Sequence, residues 1–230
     1  MIIHQSFRPA YVMSSSASSV TALLALVLIG TPACLMTGLL GAPLDFQQGE
    51  LARLLYVHVP AAWISLGVYC ATASSVFLLV VTKHPLVLLS VRSGTALVAW
   101  FTGLVLVTGW FRGLVLKWHG SYWNWDARMT SVLLLFLIAL GSLCLQKLSV
   151  ALGSFLLLAG TIDLPLLTFS VNWWNTLHQP GSMSRFGTAI HESMNCPIWL
   201  NVALFSCAAF LLFVLETRLL ILSFSEERMG

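Results

Sequence analysis

Six long apolar runs decide what this chain can become. A helix needs about 20 predominantly apolar residues to cross a bilayer, because in hydrocarbon every backbone N–H and C=O must be satisfied within the segment itself. Runs of that length lie at about 19–40, 57–81, 90–111, 129–146, 149–171 and 197–222. They occupy most of the 230 residues. The expected fold is an all-α integral membrane protein, one bundle of six transmembrane helices over 1–230, without a separate soluble domain. Composition agrees: charged residues make up 8% of the chain, against about 25% in soluble domains. The first run follows a Ser-rich stretch in which Arg8 is the only Lys or Arg, so it reads as a retained span rather than a cleaved signal. Only a few residues around Lys147 separate the fourth and fifth runs, which predicts a tight antiparallel helix pair.

Six spans put both termini on one side and three loops, 41–56, 112–128 and 172–196, on the other. The Lys and Arg residues divide almost evenly, with Arg8, Lys83, Arg92, Lys147, Arg218 and Arg228 on the terminal side and Arg53, Arg112, Lys117, Arg128 and Arg185 on the loop side. Charge bias therefore does not orient the chain. Loop length separates the two faces instead: the terminal side has short turns, and the loop side carries the chemistry. The net charge of +3 is spread thinly, and no basic cluster points to nucleic acid.

Two loop-side histidines stand out. His58, in "LLYVHVPAAW", opens the second span two residues before Pro60, a residue tolerated in a helix's first turn. His178, in "NWWNTLHQPG", follows Trp173 and Trp174 just beyond the fifth span. Taken singly, each is an interfacial histidine bonded to a neighbouring loop. Taken together, they lie at one membrane depth on one face, and two neutral imidazoles facing each other across a cavity can ligate both faces of a haem iron. Between them in sequence runs "HGSYWNWDARMTS", His119 to Ser131. Five of the nine tryptophans, Trp118, Trp123, Trp125, Trp173 and Trp174, fall in two loops of this face, a bias that suits a flat aromatic ligand. The other four, Trp63, Trp100, Trp110 and Trp199, read as interface belt or packing residues.

Arg128 is the first choice to hold haem propionates by charge-assisted hydrogen bonds, with Arg112 and Lys117 behind it. Asp126 has two compatible readings. As N-cap of the fourth span it would accept from the backbone N–H of Arg128 or Met129, and it could also pair with Arg128. His119 and His191 share the ligand face as spare ligands, while His4 and His84 lie on the far side and read as structural. Asp163, in "GTIDLPLL", is an ionisable group within the fifth span and so a functional suspect. Pro165 beside it suggests a kink whose freed N–H groups that carboxylate would satisfy. The five cysteines form no C-x-x-C pair and read as small packing residues.

The segment "HGSYWNWDARMTS" resembles the WWD signature of the haem-handling proteins, and "LLYVHVPAAW" and "VNWWNTLHQPGS" resemble the flanks found in the CcmC family of system I cytochrome c maturation. The resemblance runs from about Pro43 to beyond Arg218. "VTGWFRG", "HQPGSMSRFGTAIH" and "FVLETRL" look like mitochondrial members. It implies that the chain binds haem b at the outer membrane face and delivers it to a CcmE-like haem chaperone, alongside the ABC-type maturation subunits CcmA and CcmB and the membrane lipid. No catalytic residues are implied. His58 and His178 match the axial iron ligands, and Gly120, Trp123, Trp125, Asp126 and Arg128 match the segment beside the haem edge, with Trp118, Trp173 and Trp174 in support. The implied location is the mitochondrial inner membrane with the WWD loop facing the intermembrane space, or a bacterial plasma membrane with that loop periplasmic. One departure is visible: where the family pattern opens W-G-T-[WF]-W, this chain reads His119, Gly120, Ser121, Tyr122, Trp123.

Two other classes use similar parts. A haem b electron-transfer subunit pairs its histidines deeper in facing helices, and a permease without haem relies on broken helices near the midplane, for which Asp163 with Pro165 is the single hint.

Overall fold

A computed structural model describes residues 9–42, 49–116, 125–173, 183–184, 187–188 and 192–226. The short helix α1 (Pro9–Ser15) leads into α2 (Ala17–Met36), which ends in a π turn over Thr37–Gly41. A 3-10 turn (Glu50–Leu54) opens α3 (Leu55–Thr82), followed by α4 (Pro85–Leu116), α5 (Ala127–Leu148) and α6 (Val150–Ala159). A second 3-10 turn (Gly160–Ile162) joins α6 to α7 (Asp163–Trp173), and α8 (Glu192–Glu226) closes the bundle. Between α7 and α8, Met183 pairs with Thr188 and Ser184 with Gly187 in a two-residue antiparallel ladder, a small addition to an otherwise helical fold.

Six helical stretches are long and apolar enough to span a membrane: Ala17–Gly41, Ala52–Thr82, Pro85–Phe111, Ala127–Leu148, Val150–Ser170 and Glu192–Phe224. Each contains or closely matches a run expected from sequence. Most observed helices are longer, because a helix continues past the apolar window until something stops it. At the end of α3 the stop is Lys83, whose left-handed backbone (φ 51°, ψ 26°) lets its N–H return to the Leu79 carbonyl at 2.8 Å. His84 then starts α4, its Nδ1 accepting from the Leu86 N–H at 3.2 Å, a structural role on the terminal side as expected.

α4 lies at the centre, packed against α3, α5 and α8, while α2 sits outside against α8. Tyr69, Val76, Val91, Val98, Leu135, Ala139 and Leu157 form one core cluster of α3, α4, α5 and α6. A second cluster, with Ala61, Leu97, Phe101, Val105, Val132 and Phe205, lies nearer the loop side. Hydroxyls inside the spans return to their own helix, as Thr72 does to Val68, Thr95 to Val91 and Thr102 to Val98. A polar side chain is thereby satisfied without water. Of the five cysteines only Cys34 is buried; Cys70, Cys144 and Cys196 are exposed on the bundle surface and Cys207 is half-buried. The packing role expected for them holds for Cys34, and the exposed three sit as weakly polar groups on an apolar exterior.

The tight pair around Lys147 is realised with a single residue, Ser149, between α5 and α6. Its extended backbone (φ −151°, ψ 120°) ends one helix, and its hydroxyl accepts from the Leu152 N–H to cap the next. Close approach follows. Ser142 donates to the Gly153 carbonyl at 2.7 Å, and Gln146 Nε2 bonds both Thr95 and Ser142, at 3.0 and 3.2 Å. A Cβ on Gly153 would lie 2.5 Å from Gln146 Cγ and 2.7 Å from the Ser142 carbonyl oxygen. Small residues at such crossings let helix backbones meet. Gly153→Ala is therefore expected to destabilise the detergent-solubilised protein by about 1–3 kcal/mol. Gly67→Ala, with open space around the added carbon, should be neutral or gain up to about 1 kcal/mol of helix propensity. Thermal melts of the two variants side by side check this.

Candidate functional site

The described half of the site lies where α3, α4 and α5 meet at the loop end. His58 stands in the first turn of α3, and α3 is braced there from below. Arg53 in the preceding 3-10 turn bonds Glu50 at 2.6 Å and reaches the Ala42 carbonyl beyond α2 at 3.2 Å. The imidazole is half-buried. Its Nδ1 lies 2.8 Å from the Thr108 hydroxyl of α4.

The Thr108 hydroxyl has one proton, and its oxygen lies 2.8 Å from the Leu104 carbonyl and 3.1 Å from that of Val105. Where that proton goes to α4's own backbone, the oxygen accepts from Nδ1–H and the ring lone pair is on Nε2, the form in which histidine binds a metal; where it goes to Nδ1, the ring accepts. Next along α4, Gly109 makes room for the ring. A Cβ there would sit 3.3 Å from His58 Cε1 and equally 3.3 Å from Met129 Sδ of α5. Imidazole and thioether thus meet over bare backbone. Thr108, Gly109 and Met129 were not singled out by sequence reasoning. Thr108 and Gly109 fall within "VTGWFRG", and counting α4 residues back from the loop would have put them at the depth of His58.

Trp125 and Asp126 lead into α5. Trp125 is 74% exposed, open at the lip of the bundle. Asp126 is buried and occupies the N-cap position, where its carbonyl accepts from the Thr130 N–H at 2.9 Å. Its side chain makes no capping hydrogen bond, which corrects the expectation that the carboxylate caps α5. The backbone carbonyl closes the first turn unaided, so the buried carboxylate is not committed to it. The Asp126 charge acts on Arg128, and Arg128 Nε donates to the Leu167 carbonyl of α7 at 3.2 Å. Arg128 is half-buried at the first turn of α5, on the same end of the bundle as His58.

Deeper in the membrane, the expected kink in the fifth span is present as the 3-10 turn Gly160–Ile162, and Asp163 begins α7 directly after it. Asp163 is buried, and its Oδ2 has no hydrogen-bond partner among the described residues. The Tyr69 hydroxyl donates to the Leu157 carbonyl at 2.7 Å and crosses tightly over Gly160. Trp63 and Trp199 pack together with ring centroids 5.4 Å apart, and with Trp100 and Trp110 they lie exposed on the outer surface, as belt residues do. Trp173 ends α7, described through its backbone. His178, Trp118, Gly120, Trp123, Trp174, His119, His191 and Lys117 lie outside the described residues. Among the described residues, no group of three or more His, Cys, Asp or Glu forms a metal cluster.

The sequence matches the model of the CcmC family, described as Heme exporter protein C, over residues 2–229. It is 55% identical over 220 residues to a protein of Arabidopsis thaliana named putative cytochrome c biosynthesis ccmC-like mitochondrial protein, covering 96% of this chain and 85% of that one. A protein of the same name from Marchantia polymorpha is 52% identical over 187 residues, 81% of each chain. Heme exporter protein C of Escherichia coli strain K12 is 36% identical over 193 residues, covering 81% of this chain and 77% of that one.

The Thr108 contact is directly testable. Thr108→Val keeps the shape and removes the acceptor, leaving Nδ1–H without its partner on α4. Diethyl pyrocarbonate modification of His58, followed by mass spectrometry, is expected to be faster in Thr108→Val than in the unmodified chain. An unchanged rate would mean that the hydroxyl does not hold the ring.

Proposed function

Since the chain belongs to the CcmC family, described as heme exporter protein C, we propose that it holds haem at the outer face of an energy-coupling membrane and hands it to a CcmE-like haem chaperone for cytochrome c maturation. Family membership itself supports a haem-handling role in cytochrome c biogenesis, by transfer or transport rather than catalysis. The finer reading, delivery of haem b to that chaperone, rests on the site.

The observation that carries it is His58. A histidine at the loop end of a span, its Nδ1 turned to Thr108 and its ring half-buried over Gly109, is mounted as an iron ligand would be. It also has the outer-shell partner that metal-ligating imidazoles need. In this reading His58 takes one axial position and His178 the other. Trp118, Gly120, Trp123, Trp125 and Asp126 lie along one edge of the haem, and Trp173 and Trp174 along the approach from α7. Arg128, with Arg112 and Lys117 behind it, pairs with the propionates by charge-assisted hydrogen bonds.

The two ligands differ in how they are mounted. His58 is built into a helix end braced by Arg53, and His178 belongs to the segment after α7 next to Pro180 and Gly181. A cargo must be released, so His178, beside Pro180 and Gly181, is the ligand that yields to the chaperone. Covalent chemistry belongs to the partner; this chain positions haem and keeps water from it. CcmA- and CcmB-like subunits are the expected neighbours. The mitochondrial names of the plant relatives favour the mitochondrial inner membrane, with the loops toward the intermembrane space.

The test is the visible spectrum of the purified protein supplied with haem, beside His58→Ala, His178→Ala and Arg128→Gln. A Soret band that is lost or shifted in both histidine variants is expected. Arg128→Gln should keep the band position and weaken binding by about tenfold, the loss of one charge-assisted hydrogen bond. Histidine variants with unaltered spectra would remove both residues from the site.

A further inference from the structure

On the terminal face, between the end of α3 and the starts of α4 and α6, the bundle carries a groove of about 500 Å³. Val76, Leu79 and Val80 of α3 line one side, and Phe155 and Leu158 of α6 the other. Val80 and Phe155 are exposed, so the groove opens on the outer surface of the bundle. In hydrocarbon, a gap of this size forfeits the dispersion contacts of its lining. The surrounding solvent is lipid, and an acyl chain is what lies at hand to fill it. Two polar features at the mouth discriminate among lipids.

The first is Lys83. It makes the left-handed turn that ends α3 (φ 51°, ψ 26°), a conformation that glycine adopts at lower cost. Lys83 is exposed, lines the groove and makes no ion pair among the described residues. Pro85 and Val150 line it too, and they are the first residues of α4 and α6. The positive ends of two helix dipoles therefore stand at the same rim, and no Asp or Glu belongs to the lining. A basic recess between spans suits a negatively charged lipid headgroup.

The second feature is Ser154. Thr72, Thr95 and Thr102 return their hydroxyls to carbonyls one turn back. Ser154 does not: it is 5% exposed, and its Oγ is buried without a hydrogen-bond partner among the described residues. An unsatisfied hydroxyl in an apolar setting is costly. Ser154 belongs to the groove's lining, four residues into α6 and about 6 Å below its start. A phospholipid whose phosphate sits at Lys83 brings its glycerol ester carbonyls, which are acceptors, to about that depth.

We propose that this groove binds one phospholipid with a net-negative headgroup, its phosphate at Lys83, an ester carbonyl accepting from the Ser154 hydroxyl, and an acyl chain between α3 and α6. None of the residues of the proposed haem site lines the groove, so the two sites stand or fall separately. The test is native mass spectrometry of the full-length detergent-solubilised protein, titrated with phosphatidylglycerol or with phosphatidylcholine of the same acyl chains. The unmodified chain is compared with Lys83→Gly, Lys83→Arg and Ala151→Trp, and the lipid-free forms are melted alongside. The unmodified chain is expected to retain one phosphatidylglycerol in preference to phosphatidylcholine. Lys83→Gly keeps the left-handed turn and should melt no lower, yet its retention of phosphatidylglycerol should fall about fivefold, the loss of one lysine at a membrane surface. Lys83→Arg should retain the preference. Ala151→Trp, which puts an indole into the groove lining, should weaken retention of both lipids. Equal retention of the two lipids by the unmodified chain would overturn the proposal. So would phosphatidylglycerol retention that is unchanged in a stable Lys83→Gly, whether or not Ala151→Trp lowers it, because the headgroup would then not be read at Lys83.

Discussion

The structure depends on one requirement: in hydrocarbon, no backbone amide can be left to water. It forces six helices, sends span hydroxyls such as those of Thr72, Thr95 and Thr102 back to their own carbonyls, and confines irregular backbone to a few places. Where the regular pattern is interrupted inside the membrane, at Gly160–Ile162, the Tyr69 hydroxyl crosses the interruption and bonds the Leu157 carbonyl. The same requirement leaves the loop end as the region where side chains can be arranged for a ligand, and there His58, Thr108, Gly109 and Met129 meet across α3, α4 and α5.

The proposed site pairs a histidine on a braced helix end with one that follows α7 in sequence, and its proposed task asks one ligand to let go. Permanent haem proteins gain by fixing both ligands rigidly. A carrier that fixes both cannot release, and one that fixes neither cannot orient. Holding one imidazole on a braced helix, in contact with a hydroxyl of a neighbouring helix, would leave the strength of retention to be decided by the second ligand. Affinity and exchange are then separable properties of different chain segments, tuned by different residues.

Much of this was legible in the sequence, for physical reasons that can be named. Span positions follow from apolar length, so all six were located, and the lengthening at their ends reflects caps such as Lys83 that hydropathy does not register. A tight turn was expected around Lys147 because little chain was available between the runs, and it falls two residues later, at Ser149. His58 and Arg128 could be marked as loop-end residues because depth follows from counting along a span. Partners across helices could not. Thr108 and Gly109 matter because α4 crosses α3 at that height, and the reach of Arg128 to the Leu167 carbonyl needs the rotation of two helices, which no single-chain periodicity contains. The capping role given to Asp126 failed for a related reason. Position in sequence marks an N-cap, but whether the side chain folds back onto its helix depends on what else surrounds it.

The one-residue joint between α5 and α6 also bears on how the protein enters its membrane. Ser149 is far too short to let one helix settle while the other waits on the far side, so the two must insert as a hairpin. α5 carries Ser142 and Gln146 into lipid, and α6 carries Ser154, a buried hydroxyl without a partner among the described residues. Gln146 bonds Ser142 within α5, pairing the two helices gives Ser142 the Gly153 carbonyl, and α4 then supplies Thr95. Insertion and the first tertiary contacts are then a single event, and a longer linker at Ser149 would uncouple them.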